Sequence, residues 1–126
     1  MQPDFLKKKL GREGEEEAVQ FLKNRGFQIR ERNYRCRLGE IDLIAEKEKA
    51  LYFVEVKSRR SLEGVSPYEL VPYPKQLHIS RVAQQYYASK KIVDQAGSFA
   101  LIIVDFEKTP PFCEWVPDLF LLQWGY

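Results

Sequence analysis

Two runs rich in β-branched and aromatic residues, Glu40 to Ala45 and Leu51 to Lys57, flank the short polar segment Glu46 to Ala50. This is the signature of a β-hairpin. The hairpin constrains everything else because it carries charges where a sheet interior wants none. Period-two alternation puts Glu40, Asp42 and Ile44 on one face of the first strand, and Leu51, Phe53, Glu55 and Lys57 on one face of the second. With an even-numbered turn centred between Glu48 and Lys49, Asp42 stands opposite Glu55 and Glu40 opposite Lys57. Facing carboxylates, with Cβ atoms roughly 4.5–5.5 Å apart, repel. Phe53, Val54 and Val56 mark the second strand as interior, where a charge needs compensation. A divalent cation would remove the penalty. Oxygen ligands with no His or Cys nearby suit Mg²⁺ or Mn²⁺, and Lys57 could stabilise charge developing on a phosphate or orient an attacking water. The competing reading is an ordinary Asp/Glu/Lys patch on a solvated face.

The remaining elements follow from periodicity. Gly11 to Arg25 reads as a helix with Ala18, Val19 and Leu22 on its inner stripe and Gly26 closing it. Glu15 continues that stripe inward, whereas Glu13, Glu16 and Glu17 project away. Its competing role is a helix-end carboxylate favoured by the dipole. Phe27 to Tyr34 reads as extended, and Ser58 to Ser66 as a charged loop. After Pro72 and Pro74, a second helix from Lys75 to Ser89 presents Ile79, Val82, Ala83 and Tyr86. Lys75, one turn earlier, faces the sheet, either to reach a phosphate or to cover apolar surface with its stem. Gln76 is a weaker candidate of the same kind, and His78 falls off the stripe as a surface residue. Phe99 to Phe106 is a central buried strand, and Phe112 to Val116 and Leu119 to Trp124 are short strands. The order α-β-β-β-α-β-β, without repeat or linker, describes one domain over residues 1–126: an α/β or α+β sandwich with helices flanking a mixed sheet.

Composition narrows the chemistry further. No apolar run approaches the ~20 residues of a membrane-spanning helix, so a cytoplasmic chain that keeps off membranes is expected. Cys36 and Cys113 form no metal-ligand cluster and are expected as reduced thiols. His78 is the single histidine, which excludes mechanisms needing two imidazoles. Lys and Arg number 20 against 18 Asp and Glu. Yet Lys23, Arg25, Arg30, Arg32, Arg35 and Arg37 crowd one segment against the single acid Glu31, with Tyr34 among them. That suits backbone contacts and stacking on a nucleic acid.

Taken together, Gly11-Arg12-Glu13-Gly14-Glu15, Gly26-Phe27, Arg32-Asn33-Tyr34-Arg35, Gly39-Glu40-Ile41-Asp42-Leu43-Ile44-Ala45 and Phe53-Val54-Glu55-Val56-Lys57-Ser58-Arg59 resemble the YraN-like family of uncharacterised bacterial proteins. Gly64, Pro67, Val71 and Lys75-Gln76 extend the resemblance, which covers roughly Leu10 to Tyr87. It implies a restriction-endonuclease-like fold, similar to that of archaeal Holliday junction resolvases, and a Mg²⁺-dependent nuclease-type centre. On that resemblance Asp42 and Glu55 match the metal-binding carboxylates, Lys57 the catalytic lysine and Glu15 the acid of the first helix. The family's Arg-Phe-Asp at the last core strand is replaced here by Ser98-Phe99-Ala100.

The expected function is a metal-dependent nuclease that hydrolyses phosphodiester bonds, with branched or single-stranded DNA among its candidate substrates. Arg30, Arg32, Arg35, Arg37, Arg59, Arg60, Lys75 and Gln76 would hold the DNA. A nucleic-acid-binding module without turnover and a structural partner in a DNA-processing complex are the alternatives. Related resolvases act as dimers, so a homodimer is expected too, and an exposed Trp115 or Trp124 would fit its interface.

Overall fold

In the computed structural model, which describes residues 4–59 and 66–122 and side chains from Lys9 onward, α1 (Asp4–Asn24) leads into β1 (Gln28–Cys36), β2 (Gly39–Lys47) and β3 (Ala50–Arg59). The short α2 (Pro67–Leu70), then α3 (Tyr73–Lys90), β4 (Gly97–Asp105) and β5 (Phe112–Pro117) follow. Glu48 and Lys49 make the expected two-residue turn, with φ of 52° and 67°, the paired left-handed conformation of a type I′ hairpin. The strands form one mixed sheet in the order β1-β2-β3-β4-β5. Neighbours are antiparallel except β3 and β4, which run parallel. A parallel pair requires a crossover, and α2 and α3 provide it.

Each helix covers one face. Ala18, Val19 and Leu22 of α1 pack with Leu43, Ala45, Val54, Ala100, Ile102 and Val104. Ile79, Val82, Ala83 and Tyr86 of α3 pack with Ile41, Ile44, Leu51, Phe53, Phe99, Leu101 and Ile103. The result is a three-layer α/β/α domain, and β4 is buried on both faces as its continuous apolar run predicts. Ala100 sits in the core beneath α1. Among the described residues no helix is long and apolar enough to cross a membrane. Both cysteines are free.

β1 runs on to Cys36, and Ser58 and Arg59, expected in the charged loop, extend β3, residues 60–65 of that loop lying outside the described residues. Three further differences from the periodicity stand out. The first helix begins at Asp4 rather than Gly11, so Gly11 and Gly14 lie within it. Gly14 is there for contact: a Cβ would stand 1.8 Å from Ser58 Oγ on β3. The helix ends as expected, with Gly26 at φ 86° and the Phe27 N–H donating to the Leu22 carbonyl at 3.0 Å. Secondly, α2 is an unanticipated single turn whose Ser66 Oγ accepts from the Tyr68 N–H. Thirdly, residues 119–122 form no strand. Pro117 ends β5, Asp118 turns back at φ 55°, and Leu119, Phe120 and Leu122 pack on the core instead, Phe120 stacking on Phe99 at 4.3 Å. Gln123 and Trp124 lie outside the described residues. Trp115 is half-buried against Phe21, Phe27 and Tyr52 rather than exposed.

The Gly14 contact yields a stability test. Gly14→Ala should lower the unfolding midpoint even though alanine gains ~1 kcal/mol of helix propensity, because overpacking costs about 1–3 kcal/mol. Adding Ser58→Ala, which removes a hydroxyl that is buried without a partner, should recover most of the loss. Urea denaturation of the two single variants and the double variant reads the coupling, and additive effects would contradict the contact.

Candidate functional site

The β2–β3 ladder runs from Lys47 opposite Ala50 to Leu43 opposite Val54 and ends there. Continued by one step, the same register sets Asp42 opposite Glu55, as alternation predicts. At that step a side chain replaces the ladder: the Val56 N–H donates to Asp42 Oδ2 at 2.8 Å. The alternation of β2 breaks at the same residue. Ile41 and Ile44 both join the core beneath α3, while Leu43 and Ala45 join the core beneath α1. On β1 the register passes from Arg32 opposite Leu43 to Tyr34 opposite Ile41, and the intervening Asn33 takes φ 52°. Asparagine is among the few residues that tolerate this left-handed conformation.

Glu55 is only 3% exposed, and Lys75 Nζ lies 3.6 Å from its Oε2. Burial, and then repulsion from Asp42, push its carboxyl from the ordinary 4.5 up to about 7, against the pull of Lys75 and Lys57. Asp42 is also raised, chiefly by burial, and the Val56 N–H, Lys57 and Lys75 oppose the rise. On α1, Glu15 is half-buried while Glu13 and Glu16 are exposed. Burial, followed by the Asp42 charge, raises it, whereas a hydrogen bond with Asn33 and the Arg32 charge act the other way. Glu17, expected to project away, is half-buried as well. Carboxylates from α1, β2 and β3 thus share one field with Lys57 and Lys75.

Among the described residues no three His, Cys, Asp or Glu side chains gather closely enough to hold an ion by themselves. A divalent cation would therefore draw on Asp42 and Glu55, with water and a substrate phosphate completing its shell. Mg²⁺ is commonly held in this way, through one or two carboxylates, and a buried Glu55 and half-buried Asp42, both held above their ordinary pKa, lack the positive charge such an ion brings. The donor set fits.

A cavity of about 560 Å³ opens beside Lys75, lined by Arg35, Cys36, Gly39, Glu40 and His78 as well. A second, of about 480 Å³, borders Glu15, Arg12, Glu16, Arg32 and Asn33. The basic segment is less free than its sequence suggests. Arg30 pairs with Glu46, Arg32 with Glu16, and Arg35 with Glu40 at 2.8 Å, which are acids from outside the segment or at its far edge. Glu40 is thereby turned to Arg35 on β1, its ladder partner, and not to Lys57. Arg37 is exposed. Arg59 donates to the Ser58 carbonyl at 2.9 Å, Arg60 lies outside the described residues, and the Gln76 amide donates to the Val71 carbonyl at 3.0 Å, joining α2 to α3. Near the centre, sequence reasoning gave no role to Asn33 and none to His78 beyond a surface position. His78 is exposed as expected, yet a Cβ on Gly39 would lie 2.1 Å from its Nε2. The available signal was its spacing, one turn beyond Lys75 on the same side of α3.

A model of the uncharacterised protein family UPF0102 matches residues 14–104, an interval that holds Glu15, Asp42, Glu55, Lys57 and Lys75. A protein of Caldicellulosiruptor saccharolyticus named UPF0102 protein is 48% identical over 85 residues, covering 68% of this chain and 72% of its own. Those of Alkaliphilus oremlandii and Geotalea daltonii, with the same name, are each 43% identical. The first covers 81% of this chain and 87% of its own, the second 93% of both.

Glu55 makes stability depend on pH. Between its ordinary 4.5 and about 7 the folded chain keeps a proton that the unfolded chain has released. Stability without metal therefore falls as pH rises through that window, by roughly 3 kcal/mol from this group. Glu55→Gln lacks this loss, so urea denaturation should find the variant gaining on the wild type as pH rises from about 5 to 8. A stability difference that stays constant across the window would contradict the burial of an ionisable Glu55.

Proposed function

The chain belongs to the uncharacterised protein family UPF0102, the YraN-like proteins, and from its acidic centre we propose that it is a metal-dependent nuclease hydrolysing phosphodiester bonds in DNA. The observation that carries the reading is the proximity of Asp42 and Glu55 where β2 and β3 part, within the field of Lys57 and Lys75. An arrangement that merely stabilised the fold would leave fewer carboxylates raised by burial and mutual repulsion.

Asp42 and Glu55 would hold a Mg²⁺ or Mn²⁺ ion, which when bound supplies Lewis-acid polarisation of a phosphoryl oxygen and lowers the pKa of water. The chain's own groups account for the rest. The Val56 N–H fixes one oxygen of Asp42 and thereby its orientation. Lys75 holds Glu55 from α3 and, one-third exposed, keeps further N–H donors for a phosphate oxygen. Lys57, on the same face of β3 as Glu55, stabilises charge that develops on the phosphate. Glu15, on α1 within the field of Asp42, would accept a proton, its affinity for one raised by burial and by the Asp42 charge. Arg37, together with those arginines that exchange an exposed carboxylate for a phosphate, contributes contacts to the backbone without reading bases.

The test is cleavage of labelled single-stranded, branched and duplex DNA in Mg²⁺ or Mn²⁺. Asp42→Asn and Lys57→Ala should each reduce the rate by about 10²-fold or more without loss of folding. Arg37→Ala should weaken binding alike for unrelated sequences and flatten the salt dependence. Salt-dependent binding with no cleavage of any substrate would overturn the catalytic reading and leave a DNA-binding module in its place.

A further inference from the structure

The cavity between the β1–β2 hairpin and α3 has features that phosphodiester hydrolysis at Asp42 and Glu55 does not require. It is an open groove of about 560 Å³, room enough for a small organic group to lie in. Lys75 lines it and also reaches Glu55 at 3.6 Å, so the cavity adjoins the acidic centre. On one wall Gly39 takes φ 141°, and its missing Cβ lets the Nε2–Cδ2 edge of His78 lie against bare backbone, Nε2 being 2.1 Å from the position a Cβ would occupy. The glycine thus seats an exposed aromatic ring. Arg35 supplies a second cation, and its pair with Glu40 is solvent-exposed on both sides, at 76% and 55%. Such a pair is weak and yields to a phosphate, which guanidinium binds in bidentate fashion.

Two cations for a phosphate and one flat ring for a base together match one nucleotide. Continuous duplex keeps its bases stacked inside and offers a protein only backbone and groove edges, so a base enters such a cavity only when it is unpaired. We infer that this cavity receives an unpaired nucleotide of a strand that runs past the acidic centre, its base stacking on His78 and its phosphate held by Lys75 and Arg35. The substrate class is accordingly DNA with unpaired nucleotides rather than continuous duplex. The inference rests on the DNA-binding half of the proposed function and is independent of turnover.

The experiment is fluorescence anisotropy in EDTA, with a labelled single-stranded oligonucleotide and the duplex of the same sequence. Wild-type protein should bind the single strand more tightly. His78→Gln, which removes the ring, should weaken single-strand binding about 10-fold and leave duplex binding nearly unchanged, whereas His78→Phe should retain the preference. Gly39→Ala displaces the ring without changing any charge and should act like His78→Gln. Circular dichroism checks that each variant is folded. Equal losses on both substrates, or no loss with His78→Gln, would overturn the inference. Because no metal is present, the two readings fail separately. A wild type that cleaves DNA without a His78-dependent preference rejects the cavity and keeps the nuclease, and a His78-dependent preference without cleavage does the reverse. A wild type that binds neither substrate rejects both.

Discussion

Asp42 and Glu55 lie one step beyond the last β2–β3 pair, Leu43 and Val54, where the Asp42 charge raises Glu55, and the surrounding structure is arranged around the cost of that approach. A regular ladder would bring the two carboxylates to the close approach at which like charges destabilise a strand pair. Pairing stops instead at Leu43 and Val54, and Asp42 takes the Val56 N–H with its side chain. The hydrogen bond and the Lys75 ion pair offset part of the penalty. Both carboxyls nevertheless remain raised, so the folded chain favours a proton, or another cation, at this one place.

The other elements converge on the same point. Gly14 allows α1 to lie on Ser58, and the next residue, Glu15, then comes within the field of Asp42. On the opposite face the stripe that buries Ile79, Val82, Ala83 and Tyr86 carries Lys75 to Glu55 one turn earlier. The β1–β2 hairpin closes the site through Asn33 and Gly39, two positions with positive φ. Packing of the two cores and convergence of the charged groups are therefore one design: the residues that fix the helices on the sheet also fix the distance between lysines and carboxylates.

Much of this is legible in the chain because it follows local periodicity. The hairpin and its even-numbered turn, the inward Glu15 and the sheet-facing Lys75 all come from counting residues along a strand or a helix. What escapes depends on contacts between elements. Gly11 and Gly14 resemble a helix boundary until Ser58 is placed beneath the second of them. The arginines of β1 form a free basic patch only until Glu16 and Glu46 arrive from α1 and β2. Leu119 to Leu122 has the composition of a strand but spends it on packing. The break in β2 at Asp42 leaves no local signal, since it goes with a contact between two strands, the Val56 N–H donating to the Asp42 carboxylate.

The central claim is that Asp42 and Glu55 form one protonated, cation-deficient centre, and the most direct test counts protons. Mn²⁺ titrated calorimetrically at about pH 6, in buffers of different ionisation enthalpy, should release close to one proton per ion bound, because the metal displaces a proton from carboxyls held above their ordinary pKa. The release should shrink toward zero by about pH 8, once Glu55 has ionised, and binding should disappear in Asp42→Asn. Binding that releases no proton at the lower pH, or that persists in Asp42→Asn, would contradict the account.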